Sequence, residues 1–167
     1  MAAGERWQLG DVIIWFETGA RQHAKTDADV LLTFYAPDGR PLRWLKAYER
    51  NDLGGFEEGE VNCGYLGNLH RTGWLRDVLE HGTRLGIRIE NATNTHPKWF
   101  VTAVSLDFRV GPTRDVSTLR TWSLDDWVCP GEPERLLDAQ AEPAVGTGLF
   151  AEVGFDRELE IETGAPD

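Results

Sequence analysis

The chain has 167 residues, enough for one domain with a sizeable hydrophobic core. Its formal net charge is -11 at pH 7, and no cluster of Lys and Arg interrupts that acidity. Because a polyphosphate must be met by a basic patch, this balance disfavours nucleic acid as a partner. No apolar run approaches the roughly 20 residues of a membrane span, and residues 1–10 lack the features of a secretory signal. The sequence therefore predicts no transmembrane segment and a cytoplasmic location.

The first third of the chain predicts three strands. Residues 12–17, 29–36 and 40–47 are short segments rich in β-branched and aromatic residues, which is typical of strands. A Pro-Asp-Gly turn at 37–39 separates the second segment from the third, and because Pro fixes φ and Gly accepts positive φ, it predicts a hairpin. The polar, Gly-rich stretch at 48–59 predicts a long loop.

The rest of the chain predicts further strands and one short helix. The helix at 72–81 rests on apolar residues at helical spacing between Trp74 and Leu79, followed by Gly82 as a natural end. The predicted strands lie at 60–66, 85–90, 99–110, 119–128 and 158–162, with a further candidate in 146–155 and a Pro/Glu-rich connector at 130–143. Many short strands and a single helix predict an all-β sandwich or barrel.

Five sequence elements follow one another in a familiar order. TGARQHAKTDADVLLTFYAPDG at 18–39 combines a TG turn, a TD element and a strand, and FEEGEVN at 56–62 comes next. LGIRIEN, PKWFVTAVSL and WSLDDWV then close the series. This order resembles the PLAT/LH2 (polycystin-1, lipoxygenase, alpha-toxin) domain family over residues 11–128. The resemblance leaves an N-terminal extension at 1–10 and a C-terminal extension at 129–167, which is expected to be partly strand and packed on the sandwich.

The resemblance implies an antiparallel β-sandwich of two roughly four-stranded sheets. Domains of this family attach proteins to lipid surfaces or to protein partners, often with calcium in the loops at one end. Matched residue by residue, the metal ligands of the family correspond to Thr26, Asp27, Asn51, Asp52 and Glu57, with Glu49 as a weaker match. The oxygen-rich character of residues 49–60 agrees, because calcium prefers carboxylate and carbonyl ligands on flexible loops. The alternative is an acidic, solvated loop without metal.

Several departures from the family pattern reduce the expected metal and membrane binding. Lys25 stands where the family tends to have Gly, so that its ammonium can occupy the space of a metal. Lys98 lies where some relatives offer an acidic ligand, and residues 53–55 separate the acidic loop from Phe56.

The loop at 21–25 also lacks the exposed aromatic residues that suit a lipid interface. Trp74 and Trp99 are the remaining candidates at loops or element ends, and a place in the core is favoured for both. We therefore expect at most one or two weak calcium sites, and a protein partner is favoured over a membrane.

Catalytic motifs are absent from the sequence, since the four histidines show no HxxxH or HExxH spacing and no GxSxG occurs. The leading hypothesis is a non-catalytic binding module that engages a protein partner or a lipid or amphipathic surface, with assistance from calcium. One alternative is an enzyme on a β-sandwich shell, an isomerase or cyclase acting on an apolar substrate in an aromatic-lined cleft. Another is a carbohydrate-binding sandwich, which would need a flat, exposed row of Trp.

Overall fold

The structure is a computed structural model that describes residues 12–48, 56–67, 84–92, 97–109, 116–138 and 157–165. These residues form nine strands and no helix. The strands are β1 (Val12–Thr18), β2 (Asp29–Tyr35), β3 (Pro41–Tyr48), β4 (Val61–Gly67), β5 (Arg84–Glu90), β6 (Trp99–Arg109), β7 (Val116–Val128), β8 (Arg135–Asp138) and β9 (Arg157–Gly164). The predicted helix at 72–81 and the candidate strand in 146–155 lie outside the described residues.

The nine strands form one nearly closed sheet in the order β7-β6-β1-β4-β9-β3-β2-β5-β8. Two four-stranded antiparallel halves, β7-β6-β1-β4 and β3-β2-β5-β8, flank β9. Strand β9 runs antiparallel to β3 and parallel to β4, so it joins the halves along one side. On the other side Arg135 of β8 forms a 3.0 Å ion pair with Asp126 of β7. The predicted antiparallel β-sandwich is confirmed, and β8 lies within the segment that the sequence indicated as a connector.

The two halves pack face to face through the side chains that alternate along their strands. In β2, Val30, Leu32 and Phe34 are fully buried while the residues between them are partly exposed. The ring of Phe34 lies 5.6 Å, centroid to centroid, from that of Trp122 in β7, which is a contact between the halves. Alternation places every second residue on one face of a strand, so the pattern of β2 defines the inner face of its half.

Strand β1 is buried on both of its faces. Ile14 and Phe16 belong to the core between the halves, whereas Ile13 and Trp15 belong to a second buried cluster on the outer face, together with Cys63. A strand buried on both faces has a continuous apolar sequence rather than an alternating one. This accounts for the run VIIWF in β1, which shows no polar position before its C-terminal end.

Glu17 is the only charged residue of β1. Burial raises the pKa of its carboxyl above the usual 4.5, and the charge of Asp125 adds to the effect. Because the pKa of Glu17 is higher in the folded state than in the unfolded state, its ionised carboxylate lowers the free energy of unfolding at a pH above the raised pKa. Below the unfolded value of 4.5 the carboxyl is protonated in both states, and this destabilisation is absent. We expect Glu17→Gln to raise the melting temperature at pH 7, by no more than about 2–4 °C because solvent screens a half-buried group.

Thermal melting of the Glu17→Gln variant across a pH series checks this expectation. The gain in melting temperature should shrink as the pH falls through the raised pKa, and it should vanish below 4.5. Glu132→Gln is the matched control, because it makes the same charge change on an exposed residue after β7. Equal gains in the two variants, or a gain that persists in acid, would show that Glu17 carries no burial penalty.

Candidate functional site

One end of the sandwich is built by the loop at residues 19–28, which connects β1 to β2. The N–H of Thr26 donates to the carbonyl of Phe56 at 2.9 Å, and the N–H of Phe56 returns a bond to the carbonyl of Thr26 at 3.0 Å. The N–H of Phe100 donates to the carbonyl of Ala24, also at 3.0 Å. A Cβ at Gly19 would clash with the ring of Phe100. The glycine of the TG turn therefore allows the loop backbone to lie directly against that ring. The loop is therefore fixed to segment 56–60 on one side and to β6 on the other.

Three of the predicted calcium ligands lie at this end of the sandwich. Thr26 is buried, and its Oγ1 accepts a hydrogen bond from the N–H of Ala28 at 3.1 Å. Asp27 is exposed, and Glu57 is partly buried at the start of a turn. Glu49, Asn51 and Asp52 lie outside the described residues. The structure thus brings Thr26, Asp27 and Glu57 to one end and gives Thr26 a role inside the loop.

Acidic side chains near this loop are bound by donors of the protein itself. The Oε1 of Glu58 accepts the N–H of His23 at 2.9 Å. The Oδ2 of Asp29 accepts the Nδ2 of Asn91 at 2.9 Å and lies 3.5 Å from the Nζ of Lys46. Calcium needs six to eight oxygens, and among the described residues no three His, Cys, Asp or Glu side chains come together to hold a metal ion. The described members of the proposed ligand set, Thr26, Asp27 and Glu57, therefore do not form a metal site by themselves.

A cleft of about 430 Å³ opens at the same end, where the 19–28 loop meets the start of β6 and the end of β7. It is lined by Gln22, His23, Pro97, Lys98 and Trp127, and we call it the loop-end cleft. Trp127 is partly buried, whereas the other four residues are exposed. The cleft therefore offers an aromatic wall surrounded by polar and cationic side chains.

The aromatic wall is supported from behind by two further ring interactions. The ring of Trp127 packs edge to face against Phe100, with 5.2 Å between the centroids. The guanidinium of Arg21 in turn lies 4.4 Å from the centroid of Phe100, within the range of a cation–π interaction. Because Phe100 is buried and its backbone is bonded to the 19–28 loop, the position of Trp127 is coupled to that loop.

Polar contacts hold the backbone of Trp127 in place. The Oδ1 of Asp126 accepts the N–H of Trp127 at 2.7 Å, and its Oδ2 accepts Nη2 of Arg135 at 3.0 Å. These two bonds hold the pKa of the Asp126 carboxyl below its usual range. The Nη1 of Arg135 also donates to the carbonyl of Trp127 at 3.2 Å. Trp127 is therefore preorganised before any ligand arrives.

Unusual backbone conformations occur on both sides of the loop-end cleft. His23 has a φ of 64° and Asp125 has a φ of 52°, both in the left-handed region that residues other than Gly seldom adopt. Asp125 lies where the register between β6 and β7 shifts, which indicates a bulge. Such conformations are often found at ligand sites. Here they turn the chain at His23, which lines the cleft, and just before Trp127.

Sequence reasoning missed this cleft, although it singled out two of the neighbouring residues. Lys98 departs from the metal pattern of the family, and the sequence favours a place in the core for Trp99 over an exposed one. Trp99 is fully buried, so the core interpretation is confirmed. Trp74, the other aromatic candidate, lies outside the described residues. The sequence signal for Trp127 is its place one residue before the end of a predicted strand, which is also where β7 ends.

Comparison with known structures finds the fold in lipoxygenases. An engineered lipoxygenase variant matches with a TM-score of 0.52 and 21% identity, over 78% of this chain and 16% of that chain. A lipoxygenase in complex with arachidonate matches with a TM-score of 0.51 over the same shares. Coral 8R-lipoxygenase, described as activated by calcium via a C2-like domain, matches with a TM-score of 0.50 and 18% identity over 77% of this chain and 17% of that chain. No protein-family model and no curated protein sequence matches this chain.

The chain has a PLAT/LH2-like fold, as the order of its sequence elements predicted. It spans only 16% to 17% of the length of these lipoxygenases, and the similarity at such identities concerns the fold alone. The fold is compatible with a non-catalytic module. A search of the described residues finds no helix that is long and apolar enough to cross a membrane.

Proposed function

We propose that this protein is a non-catalytic binding module that engages a protein partner through the loop-end cleft. The observation that carries this proposal is Trp127, a partly buried aromatic residue fixed by Phe100, Asp126 and Arg135 and surrounded by exposed polar side chains. Binding energy at protein interfaces concentrates in such aromatic anchors, and a polar rim around them excludes water. Preorganisation also lowers the entropy lost on binding.

The packing of the other aromatic residues supports binding over catalysis. An enzyme for apolar substrates needs a deep cleft with aromatic walls and convergent polar groups. Among the described residues, however, Phe16, Phe56 and Trp99 pack on one another with ring centroids 4.8–6.2 Å apart. Trp15, Trp99 and Trp122 are fully buried, which also argues against the flat, exposed row of Trp of a carbohydrate-binding sandwich.

The distribution of exposed apolar residues supports a protein partner over a lipid surface. Membrane-docking loops carry several exposed aromatic or aliphatic residues that enter the interfacial layer. Among the described residues the large hydrophobic side chains that are exposed are Tyr65 and Leu136, on β4 and β8, and neither lines the loop-end cleft. A single partly buried Trp fits a peptide groove better than it fits a bilayer.

Selection of peptides from a displayed library against the immobilised protein tests this proposal. We expect peptides to be enriched and Trp127→Ala to weaken their binding about 30-fold, the loss of about 2 kcal/mol that marks a central anchor. Trp44→Ala is the matched control, because Trp44 is another partly buried Trp, on β3. Thermal melting verifies that both variants fold. Failure to enrich any peptide, or equal losses in the two variants, would contradict the proposal.

Calcium regulation is the second candidate, because the fold is shared with the C2-like domain of the calcium-activated coral enzyme. Both Thr26 oxygens accept hydrogen bonds within the loop region, so the described residues support no strong site. We expect thermal melting curves in millimolar calcium and in chelator to superimpose. A ligand held only by the folded state raises the midpoint, so a higher midpoint in calcium would contradict this expectation and direct attention to Glu49, Asn51 and Asp52.

A further inference from the structure

The charge at the loop-end cleft differs from that of the whole protein. The chain carries a formal charge of -11, yet Lys98 lines the cleft and Arg21 lies beside it on Phe100. At physiological ionic strength charges are screened over about 8 Å, so a ligand in the cleft responds to these neighbours rather than to the net charge. Local charge therefore decides what the cleft attracts.

Two acidic groups beside the cleft already accept hydrogen bonds from the protein itself. Asp126 accepts hydrogen bonds from Arg135 and from the N–H of Trp127. Glu58 accepts the backbone N–H of His23. No carboxylate of the described residues lies within ion-pair distance of the Lys98 ammonium. Lys98 is exposed and lines the cleft directly beside Pro97, so it can receive a carboxylate from a ligand.

We propose that the loop-end cleft recognises an acidic peptide segment in which a carboxylate stands next to an aromatic or aliphatic side chain. The apolar side chain packs between Trp127 and Pro97, and the carboxylate pairs with Lys98. The cleft volume of about 430 Å³ is within the usual range of ligand pockets, about 300–1,000 Å³. This inference rests on the proposed function and adds the chemistry of the partner to it.

An acidic peptide fits the cleft better than a lipid headgroup does. A phosphate group brings negative charge without an apolar group beside it, so it would leave the wall of Trp127 and Pro97 uncovered. A peptide supplies both parts from neighbouring side chains. The ammonium of Lys98 is a compact positive charge, so it favours a ligand that carries a carboxylate. Trp127 supplies contact area for the neighbouring apolar side chain at a low cost in conformational entropy.

Fluorescence anisotropy with a labelled peptide of alternating Glu and Phe tests the inference. Matched peptides carry Gln or Lys in place of Glu. We expect the Glu peptide to bind and Lys98→Glu to weaken its binding by at least about tenfold. Arg40→Glu makes the same charge change at the hairpin between β2 and β3. We expect it to alter binding by less than about twofold, because the seven residues of β2, roughly 20 Å of strand, separate that hairpin from the 19–28 loop, which exceeds the screening length of about 8 Å.

Several outcomes would overturn the inference. The first is a Gln peptide that binds as tightly as the Glu peptide, and the second is equal losses in Lys98→Glu and Arg40→Glu. The third is binding to phosphatidylserine vesicles that depends on Lys98 while the peptide does not bind. Enriched library peptides that depend on Trp127 but contain no acidic residue would overturn this inference and leave the proposed function standing. Absence of any peptide binding would overturn both.

Discussion

A chain that ends at residue 156, before β9, is expected not to fold. Strand β9 lies in the middle of the sheet, where it pairs with residues 44–48 of β3 and with residues 62–64 of β4. Its loss would expose two strand edges, each with unpaired N–H and C=O groups that invite aggregation. The core would also lose Leu159, which is 5% exposed, and the packing of Ile161. We therefore expect an insoluble product or one without a cooperative melting transition.

Circular dichroism and thermal melting of the truncated chain provide the measurement. A chain that lacks only residues 166–167 is the control, since those residues lie beyond β9, and it should melt like the full chain. Leu159→Ala serves as a milder variant, with an expected loss of about 2–5 kcal/mol in the free energy of unfolding. A truncated protein that is soluble and melts cooperatively would show that the sandwich is complete without β9 and residues 165–167.

The strands themselves could be predicted because their signals are local. The alternation of Val30, Leu32 and Phe34 and the Pro-Asp-Gly turn indicate β2 and its hairpin directly. The alternation in residues 158–162 likewise indicated β9. The neighbours of β9 could not be predicted, because strand pairing depends on contacts between residues far apart in the sequence. Strand β8 was missed because it has four residues and Leu136 is exposed.

The site was less predictable than the fold, because burial of a loop residue depends on what packs against it. The Thr of the TD element resembles a ligand in sequence, but Thr26 is buried and pairs with Phe56 through a backbone bridge. The anchoring of Trp127 requires Phe100 from β6 and Arg135 from β8. Those contacts join three separate segments. Sequence therefore identified which loops share one end of the sandwich, but not which side chains form the cleft.

Trp99→Ala is expected to lower the free energy of unfolding by about 3–5 kcal/mol, the usual cost of removing a large buried aromatic residue. Trp99 is fully buried, and its ring lies 4.8 Å from that of Phe56. Its Nε1 donates a 2.9 Å hydrogen bond to Oγ1 of the buried Thr18. Equilibrium unfolding in denaturant measures the loss, and a loss below about 1 kcal/mol would contradict the buried placement of Trp99.

A double-mutant cycle separates the hydrogen bond of Trp99 from its packing. Trp99→Phe keeps an aromatic ring but leaves Thr18 Oγ1 without its donor, which costs about 1–3 kcal/mol in a buried site. Thr18→Val removes the acceptor instead. In the double variant neither polar group remains unsatisfied, so its loss should be smaller than the sum of the two single losses. Additive losses would mean that the bond contributes nothing. Because Trp99 follows Lys98 and Thr18 precedes the 19–28 loop, this buried bond joins the two chain segments that lead into the loop-end cleft.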